Sequence, residues 1–390
     1  MRLRLRLGLA ARHYCRPIRR ADDHVGRALD AWHAASAEPA LYPSQRLIDA
    51  HHHLWDHRES VDTPPTHRRL PPAPPRPALL LSSPLLLPRY LADDLLADIA
   101  ASGHRVIATC FVECLTNYTP PLSSPFAPVG EAHFARGAAL LRGETRVCAA
   151  LVAHADLTRA EAPAVLDALG GVAGVRHAHA RHPHAPPNHH APTAAREALL
   201  ADADFRRGFA ALAARRLLFE TWGWHTQQRQ VVELARAFPE ATIVVGHLGG
   251  PFLPAAAAAA ARRREAEEWA RGVEALGACG NVLLKLGGMG MPVLGLQFEA
   301  RRAAGRASPS SEELAHAWLP FVATAVRAFG TERCMFESNF PIDKVSCSYG
   351  NLWNAFKRIA HDSALSIDDA GRDDLFFRTA ARAFKIPTAG

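Results

Sequence analysis

The stretch that decides the fold is Leu47-Ile48-Asp49-Ala50-His51-His52-His53-Leu54-Trp55-Asp56, an apolar run that ends in a cluster of imidazoles. Side chains of a β-strand alternate between its two faces, so a strand here is predicted to place Asp49, His51 and His53 on one side. Two imidazoles at positions i and i+2 of a strand end can both reach one divalent ion. Taken alone, the pattern is more often a polar strand end with solvated histidines, because the chain contains 21 histidines.

From residue 47 onward the chain repeats one unit, in which short leucine-rich or β-branched runs alternate with longer helical patterns. The helical patterns end at glycine or proline, as in Leu91–Ser102 before Gly103 and Ser311–Phe329 before Gly330. Eight such units predict an α/β fold, a (β/α)₈ TIM barrel with long insertions, rather than a doubly wound sheet, whose Gly-rich phosphate turn is missing. The predicted strands are Leu47–Leu54, Arg105–Glu113, Arg146–His154, Val172–Ala178, Arg216–Trp222, Ala241–His247, Asn281–Leu286 and Arg333–Asn339.

Composition limits the function classes. With 48% apolar and 21% charged residues, 390 residues suffice for a full hydrophobic core. The formal charge of +7 comes from the first 20 residues, which hold seven arginines and no acid, so a nucleic-acid partner is not expected. The seven cysteines lack paired spacing and predict reduced thiols. No apolar run reaches the roughly 18 residues that a membrane span needs.

The first 46 residues are predicted to be a basic presequence and linker, followed by a single catalytic domain over residues 47–388. Alternation of arginine with leucine and the lack of acids are typical of a transit peptide, which would direct the protein to a mitochondrion or plastid and otherwise leave it in the cytoplasm. A misassigned start and a disordered basic arm are the alternatives.

Two insertions in the loops that follow strands are predicted to be lids or pocket walls, since these loops lie at the catalytic face of a barrel. The first is the proline-rich segment from Pro64 to Pro88, and the second runs from His177 to His190. The second holds six histidines and could bind metal, although a low-complexity insertion explains it better.

Polar side chains stand at the carboxyl ends of most predicted strands, the end at which barrel enzymes carry their chemistry. Any one of them could be a satisfied core residue. Their recurrence on six strands predicts an active site built from His51, His53, His154, Arg176, His177, His225, His247, Lys285, Glu337 and Asn339.

Several motifs resemble the amidohydrolase superfamily, in particular its amidohydrolase-related, lactonase-like branch: IDAHHHLWD, ETWGWHTQQ, IVVGHLGGP, KLGG, MFESNFPIDK and TAARAF. The resemblance implies that His51, His53, His225 and His247 form a polar cup, which binds a divalent metal in some members and substrate in others. It also implies a Ser-Asp-x-Pro motif on the eighth strand, whose aspartate activates water. Here that motif is Ser338-Asn339-Phe340-Pro341, and asparagine cannot take up a proton at neutral pH.

The proton acceptor must therefore lie elsewhere, or the activity must be reduced. Glu337 is the first candidate, because strand alternation places it on the same side as Asn339. Asp343 beyond the strand end and Glu113 at the end of the second strand are alternatives. Loss of the acidic ligand also predicts that a divalent ion, zinc or manganese, is held weakly or not at all.

The resulting prediction is a hydrolase that opens a sugar lactone or a small carboxylic-acid lactone by attack of activated water. Arg176 and Lys285 would stabilise the developing oxyanion, while Arg176, His154 and His225 would contact substrate. A metal-dependent carboxy-lyase of the same fold and a catalytically weakened ligand-binding barrel remain alternatives. The expected partner is a small-molecule substrate, with no nucleic acid and no membrane, and a homo-oligomer stays open.

Overall fold

The computed structural model describes residues 24–56, 87–121, 123–182, 198–253 and 257–387. Eight parallel strands follow one another around a nearly closed sheet in chain order, which confirms the predicted (β/α)₈ barrel. A short strand, β5, pairs antiparallel with β6, and β2 pairs antiparallel with β3 outside the barrel. The strands are β1 Arg46–His52, β2 Trp55–Asp56, β3 Arg89–Tyr90, β4 Arg105–Val112, β5 Leu140–Arg142, β6 Thr145–His154, β7 Gly174–Arg176, β8 Leu218–Thr221, β9 Ile243–Val245, β10 Val282–Leu286 and β11 Cys334–Phe336.

The eight predicted strands coincide with β1, β4, β6, β7, β8, β9, β10 and β11, and most of them are shorter than predicted. At the carboxyl ends of the strands, the largest difference is at β11, which ends at Phe336 although the pattern extended it to Asn339. Asn339 has a φ of 53°, in the left-handed region that asparagine tolerates better than most residues. The chain therefore turns at Asn339, and strand alternation does not relate its side chain to that of Glu337.

The helices alternate with the barrel strands and cover the outside of the sheet. Ser311–Phe329 starts as predicted, because Ser310 caps it and Glu313 closes the capping box. The helix Ala162–Leu169 has a proline in its first turn, which favours initiation. Helices are His24–Ala34, Ala92–Ser102, Pro128–Ala138, Ala162–Leu169, Ala203–Ala214, Gln228–Ala237, Ala259–Gly277, Ala300–Ala303, Ser311–Phe329, Tyr349–Ala360, Asp369–Asp373 and Thr379–Ala383.

Two apolar clusters hold the barrel together. The inner cluster fills the barrel and includes Ile48, Ala50, Cys110 and Val244. Phe384, near the C-terminus, belongs to the same cluster. The outer cluster lies between the sheet and the helices. The C-terminal segment thus packs against the end of the barrel opposite to the site.

The prediction that Asp49, His51 and His53 share one face is wrong, because the first strand contains a bulge. The register between β1 and β4 shifts between Asp49 and His52, so an extra residue is accommodated there. Asp49 pairs in register with Thr109, and the carboxylate of Asp49 accepts a hydrogen bond from the hydroxyl of Tyr349 in the outer cluster. The rings of His51 and His53 contact each other instead.

Several segments with predictions lie outside the described residues. They include residues 1–23, most of the proline-rich insertion and residues 183–190 of the histidine-rich tract. Of the predicted linker, His24–Ala34 forms a helix whose Trp32 donates a hydrogen bond to the carbonyl of Arg306. The six described cysteines are buried and free. Within the described part, the helices are too short or too polar to span a membrane.

Two helical glycines offer a matched test of the packing. A Cβ atom at Gly208 would overlap the carbonyl group of Leu157, whereas a Cβ atom at Gly137 would meet nothing within 4 Å. We expect Gly208→Ala to lower the free energy of unfolding by about 1–3 kcal/mol through overpacking. Gly137→Ala should raise it by about 0.5–1 kcal/mol, because glycine disfavours the helix. Denaturant titration of both variants measures these changes, and equal effects would contradict the packing at Gly208.

Candidate active site

The site lies inside the barrel at the carboxyl ends of its strands. Five of the barrel strands contribute these polar residues, each within two positions of the last residue of its strand. All of these side chains are buried, with at most 5% of the residue exposed. They are His51 and His53 from β1, Glu220 from β8, His247 after β9, Lys285 from β10, and Glu337 after β11.

Glu337 joins two of the histidines. Its Oε1 accepts hydrogen bonds from the backbone N–H and from Nδ1 of His247, at 3.0 and 2.7 Å. Its Oε2 lies 2.9 Å from Nδ1 of His51. Burial by itself would raise the pKa of Glu337, but the two imidazoles outweigh burial and hold that pKa well below its usual range. Glu337 is therefore an anion that positions His51 and His247.

Lys285 lies beneath His51 and is completely buried. Its Nζ is 2.7 Å from Oε2 of Glu220 and 3.3 Å from Nδ1 of His51, and it stands over the ring of Phe384 at the closed end of the barrel. This placement corrects the expectation that Lys285 stabilises an oxyanion at the mouth. The charge of Lys285 balances that of Glu220. The sequence analysis did not identify Glu220 as a site residue. A glutamate inside an apolar strand was the signal that could have identified it.

The rings of His51 and His53 face each other, with 3.1 Å between their Nε2 atoms. Nδ1 of His53 lies 2.8 Å from the carbonyl oxygen of Val112, so Nδ1 carries the proton and Nε2 of His53 offers a lone pair. Nδ1 of His51 either accepts from Nζ of Lys285, in which case Nε2 donates to His53, or donates to Oε2 of Glu337, in which case Nε2 offers a lone pair. Burial and the charge of Lys285 lower the pKa of His51 well below its usual range, so His51 is neutral in both arrangements.

The same atoms can hold a metal ion. Oε2 of Glu337 and Oε1 of Glu220 are buried without a hydrogen-bond partner, although they lie 2.9 and 3.4 Å from Nδ1 of His51. Either oxygen can accept the proton when it moves from Nε2 to Nδ1, and both facing Nε2 atoms then offer lone pairs. A carboxylate that accepts from the second ring nitrogen is the usual support of a metal-binding histidine. His51, His247 and Glu337 also place one ligand atom each within 4.8 Å of one another.

His225 does not join this group, which corrects its assignment to the cup. Its Nε2 lies 2.9 Å from a carboxylate oxygen of Glu265, and its Nδ1 accepts a hydrogen bond from the backbone N–H of Phe252. With Nδ1 as the acceptor, Nε2 carries the proton and donates to Glu265. Both ring nitrogens of His225 thus have partners outside the cup, so this imidazole is not available to the His51–His53 pair.

Asn339 and Asp343 form a second element of the site. The side-chain amide of Asn339 donates to Oδ1 of Asp343, and the backbone N–H of Gly290 donates to Oδ2, each at 2.8 Å. Burial raises the pKa of Asp343 well above its usual value, and the negative charge of Glu337 adds to the shift. Asp343, which the sequence analysis offered as an alternative proton acceptor, thus lies beside Asn339.

A glycine loop after β10 lets these residues approach closely. A Cβ atom at Gly288 would lie 2.5 Å from Nδ1 of His247, and one at Gly290 would lie 2.8 Å from Cβ of Asp343. Gly288 also has a φ of 68°, which favours glycine. The loop therefore packs against both His247 and Asp343 and brings them to one wall of the cup.

Arg176 is held by an ion pair rather than presented as a free cation. Its Nε donates to Oε1 of Glu113 at 2.6 Å, and its Nη2 donates to the backbone carbonyl of Glu113. This contact gives Glu113 a structural partner and makes it an unsuitable proton acceptor. His154 lies beside the pair, with Nδ1 3.0 Å from the carbonyl oxygen of Arg176.

Comparison with known proteins identifies the family of this chain. The family model described as Amidohydrolase matches residues 48–386. The chain belongs to the amidohydrolase family. The fold and family that the sequence motifs predicted are therefore confirmed.

Two proteins of similar sequence and one solved structure illustrate what this chain resembles. The uncharacterized protein y4mH of Sinorhizobium fredii is 27% identical over 87% of this chain and 98% of its own length. L-fucono-1,5-lactonase of Burkholderia multivorans is 28% identical over 49% of this chain and 58% of its own length. A crystal structure of an amidohydrolase from Burkholderia multivorans with bound zinc has a TM-score of 0.62 and 22% identity, covering 87% of this chain and 99% of the other. That structural likeness supports the fold.

A zinc titration tests which histidines form the metal site. We expect His51→Ala to abolish detectable Zn²⁺ binding, because it removes the imidazole that His53 faces and that Glu337 supports. His225→Ala should keep the affinity within about threefold, a change of less than 1 kcal/mol. Isothermal titration of the chelator-treated protein measures both. An equal loss of Zn²⁺ affinity in the two variants would show that His225 is a metal ligand.

Proposed function

We propose that the protein is a hydrolase that opens the ring of a neutral lactone, with water as the attacking group. The observation that carries the proposal is the buried Asp343 carboxyl, which Asn339 holds at the wall that also carries His247. Hydrolysis of an ester needs a group that accepts the proton of water and a group that withdraws electrons from the carbonyl. Asp343 and the histidine cup can supply these two functions.

The cup fits one divalent ion, which His51, His53 and His247 would hold. The fit rests on the facing Nε2 atoms of His51 and His53 and on the unpartnered carboxylate oxygens beside Nδ1 of His51. When bound, such an ion lowers the pKa of water and polarises a carbonyl oxygen. Zinc is the appropriate probe, since the structurally similar amidohydrolase from Burkholderia multivorans contains it.

Asp343 fits the role of proton acceptor better than Glu337, which reverses the order that the sequence suggested. Glu337 already receives hydrogen bonds from His247, and its pKa is held low, so it is a weak base. Asp343 has a raised pKa, and a stronger base accepts a proton from water more readily. Asn339 keeps one oxygen of Asp343 in place by donating to it.

Charge around the cup favours an uncharged substrate over a carboxylate. The two cations that the sequence offered for anion binding are already neutralised, Arg176 by Glu113 and Lys285 by Glu220. Glu337 adds a further negative charge. A dicarboxylic lactone or the carboxylate substrate of a carboxy-lyase would face like charge, whereas a sugar lactone would offer hydroxyl groups to these same carboxylates. The name of the Burkholderia multivorans lactonase agrees with this choice.

A barrel that only binds its ligand is the second candidate, and Asn339 in place of an acid is the observation that favours it. The two candidates differ in whether Asp343 changes the rate of a reaction.

The acid limb of the pH–rate profile distinguishes Asp343 from Glu337. We expect Asp343→Asn to lower kcat/KM by roughly 10²- to 10⁴-fold and to remove the limb, since general base catalysis contributes about that much. In the unmodified protein the limb should lie above pH 3.8, the ordinary value, because the raised pKa keeps Asp343 protonated at higher pH. Glu337→Gln should slow the reaction while keeping the limb. A limb that persists in Asp343→Asn and disappears in Glu337→Gln would assign the base to Glu337.

A substrate panel tests the proposed reaction. The zinc-loaded protein should hydrolyse neutral sugar 1,5- and 1,4-lactones at least about tenfold faster, by kcat/KM, than a pyrone dicarboxylate, a difference of about 1.4 kcal/mol. It should release no carbon dioxide from aromatic carboxylates. Proton release in weakly buffered solution measures lactone opening. Decarboxylation, or binding of lactones without turnover, would replace the proposal by one of its two alternatives.

A further inference from the structure

The barrel closes between its first and eighth strands through a seam that differs from its other strand contacts. Residues 51–53 and 338–340 form the two sides of this seam. The backbone N–H of Asn339 donates to the carbonyl of His51 at 2.9 Å, and the N–H of His53 donates to the carbonyl of Phe340 at 2.7 Å. A single bridge between His52 and Phe340 accompanies them, where the other barrel strands form ladders. The seam therefore joins the segments that carry the histidine pair and Asn339.

Asp49 lies at this seam and is completely buried. Its Oδ1 accepts from the backbone N–H of Ser338 at 2.9 Å and from that of His51 at 3.3 Å. Its Oδ2 accepts from the hydroxyls of Ser338 and Tyr349, at 2.6 and 3.1 Å. These four donors are neutral, and they belong to both sides of the seam and to the helix Tyr349–Ala360.

A buried carboxylate is a costly way to join two segments unless its hydrogen bonds are needed. Hydrogen bonds to an ionised acceptor are stronger and shorter than those between neutral groups, and the planar carboxylate fixes their directions. Ser338 extends the effect, because its hydroxyl accepts the backbone N–H of Phe340 at 3.1 Å. Asp49 thus holds the backbone of residues 49–51 against that of residues 338–340.

We propose that Asp49 is a positioning residue, which sets the distance and orientation between the His51–His53 pair and Asn339. It acts through the backbone of the seam, since its side chain points to the outer layer and Tyr349. The role rests on the proposed function of the cup for its effect on catalysis. Its effect on the seam itself does not depend on turnover.

The experiment compares a variant within β1 with a variant of a residue that contacts the start of the same strand. Asp49→Asn replaces one acceptor oxygen by an NH2 group, which cannot accept from the hydroxyls of Ser338 and Tyr349. Asp373→Asn is the matched control, because Asp373 pairs with Arg46 at the start of β1, at 3.1 Å and away from the site. We measure amide hydrogen exchange at His53 and Asn339 in the full chain, together with Zn²⁺ affinity by titration.

Asp49→Asn should accelerate exchange at both amides by roughly tenfold or more, as expected when a hydrogen bond to a charged group is lost. Zn²⁺ affinity should fall by roughly 10- to 100-fold, the usual cost of losing a support of metal ligands. The control should change both quantities less than about twofold. Exchange and affinity that stay within twofold in Asp49→Asn would overturn the proposal.

Tyr349→Phe provides the second variant, since it removes one hydroxyl donor and keeps the ring. It should also accelerate amide exchange at Asn339, by a smaller factor than Asp49→Asn does. If Asp49→Asn does not fold, this variant tests the role of Asp49. Unchanged exchange in that variant would also overturn the proposal. Failure of the lactone panel with accelerated exchange would reject the proposed reaction alone, whereas lactone turnover with unchanged exchange would reject the role of Asp49 alone.

Discussion

The structure of the site depends on the compensation of one fully buried carboxylate, that of Glu337. An isolated anion in a protein interior is very unfavourable, so its position requires donors on every open side. The backbone and ring of His247 supply two, Nδ1 of His51 approaches the other oxygen, and Lys285 lies 4.0 Å away. These partners come from three other strands. The imidazoles are therefore placed by charge compensation in addition to the sheet, and loss of Glu337 would release them together.

The sequence predicts those parts of the fold and site that follow from local patterns, and it does not predict those that depend on a distant partner. The eight strands, and the end at which their polar residues gather, follow from periodicity, because a parallel barrel must place the ends of all its strands in one ring. His51, His53, His247 and Glu337 were found by this argument. Glu220 was missed, since its role depends on the position of Lys285 and a single strand does not reveal a partner 65 residues away.

Two errors arose where local geometry departs from the ideal element. The bulge between Asp49 and His52 moves Asp49 to the outer face, and a bulge adds no recognisable residue to the sequence pattern. His225 lies after β8 in a short turn of 3₁₀ helix, where its ring meets Glu265 of the helix Ala259–Gly277. The direction of the His225 ring depends on where that helix packs, and the sequence does not specify the position of the helix.

The asparagine at position 339 has a physical consequence beyond the absence of an acid. It occupies a left-handed backbone position that asparagine and aspartate both tolerate, so the turn is compatible with either. An aspartate there would stand 2.8 Å from Asp343, and two carboxylates at that distance cannot both ionise. The amide instead donates a hydrogen bond to Asp343, which favours the ionised form that a base requires, against the desolvation that opposes it. In the proposed mechanism, Asn339 thus allows Asp343, four residues further along the chain, to act as the proton acceptor without a repulsive pair of acids in the cup.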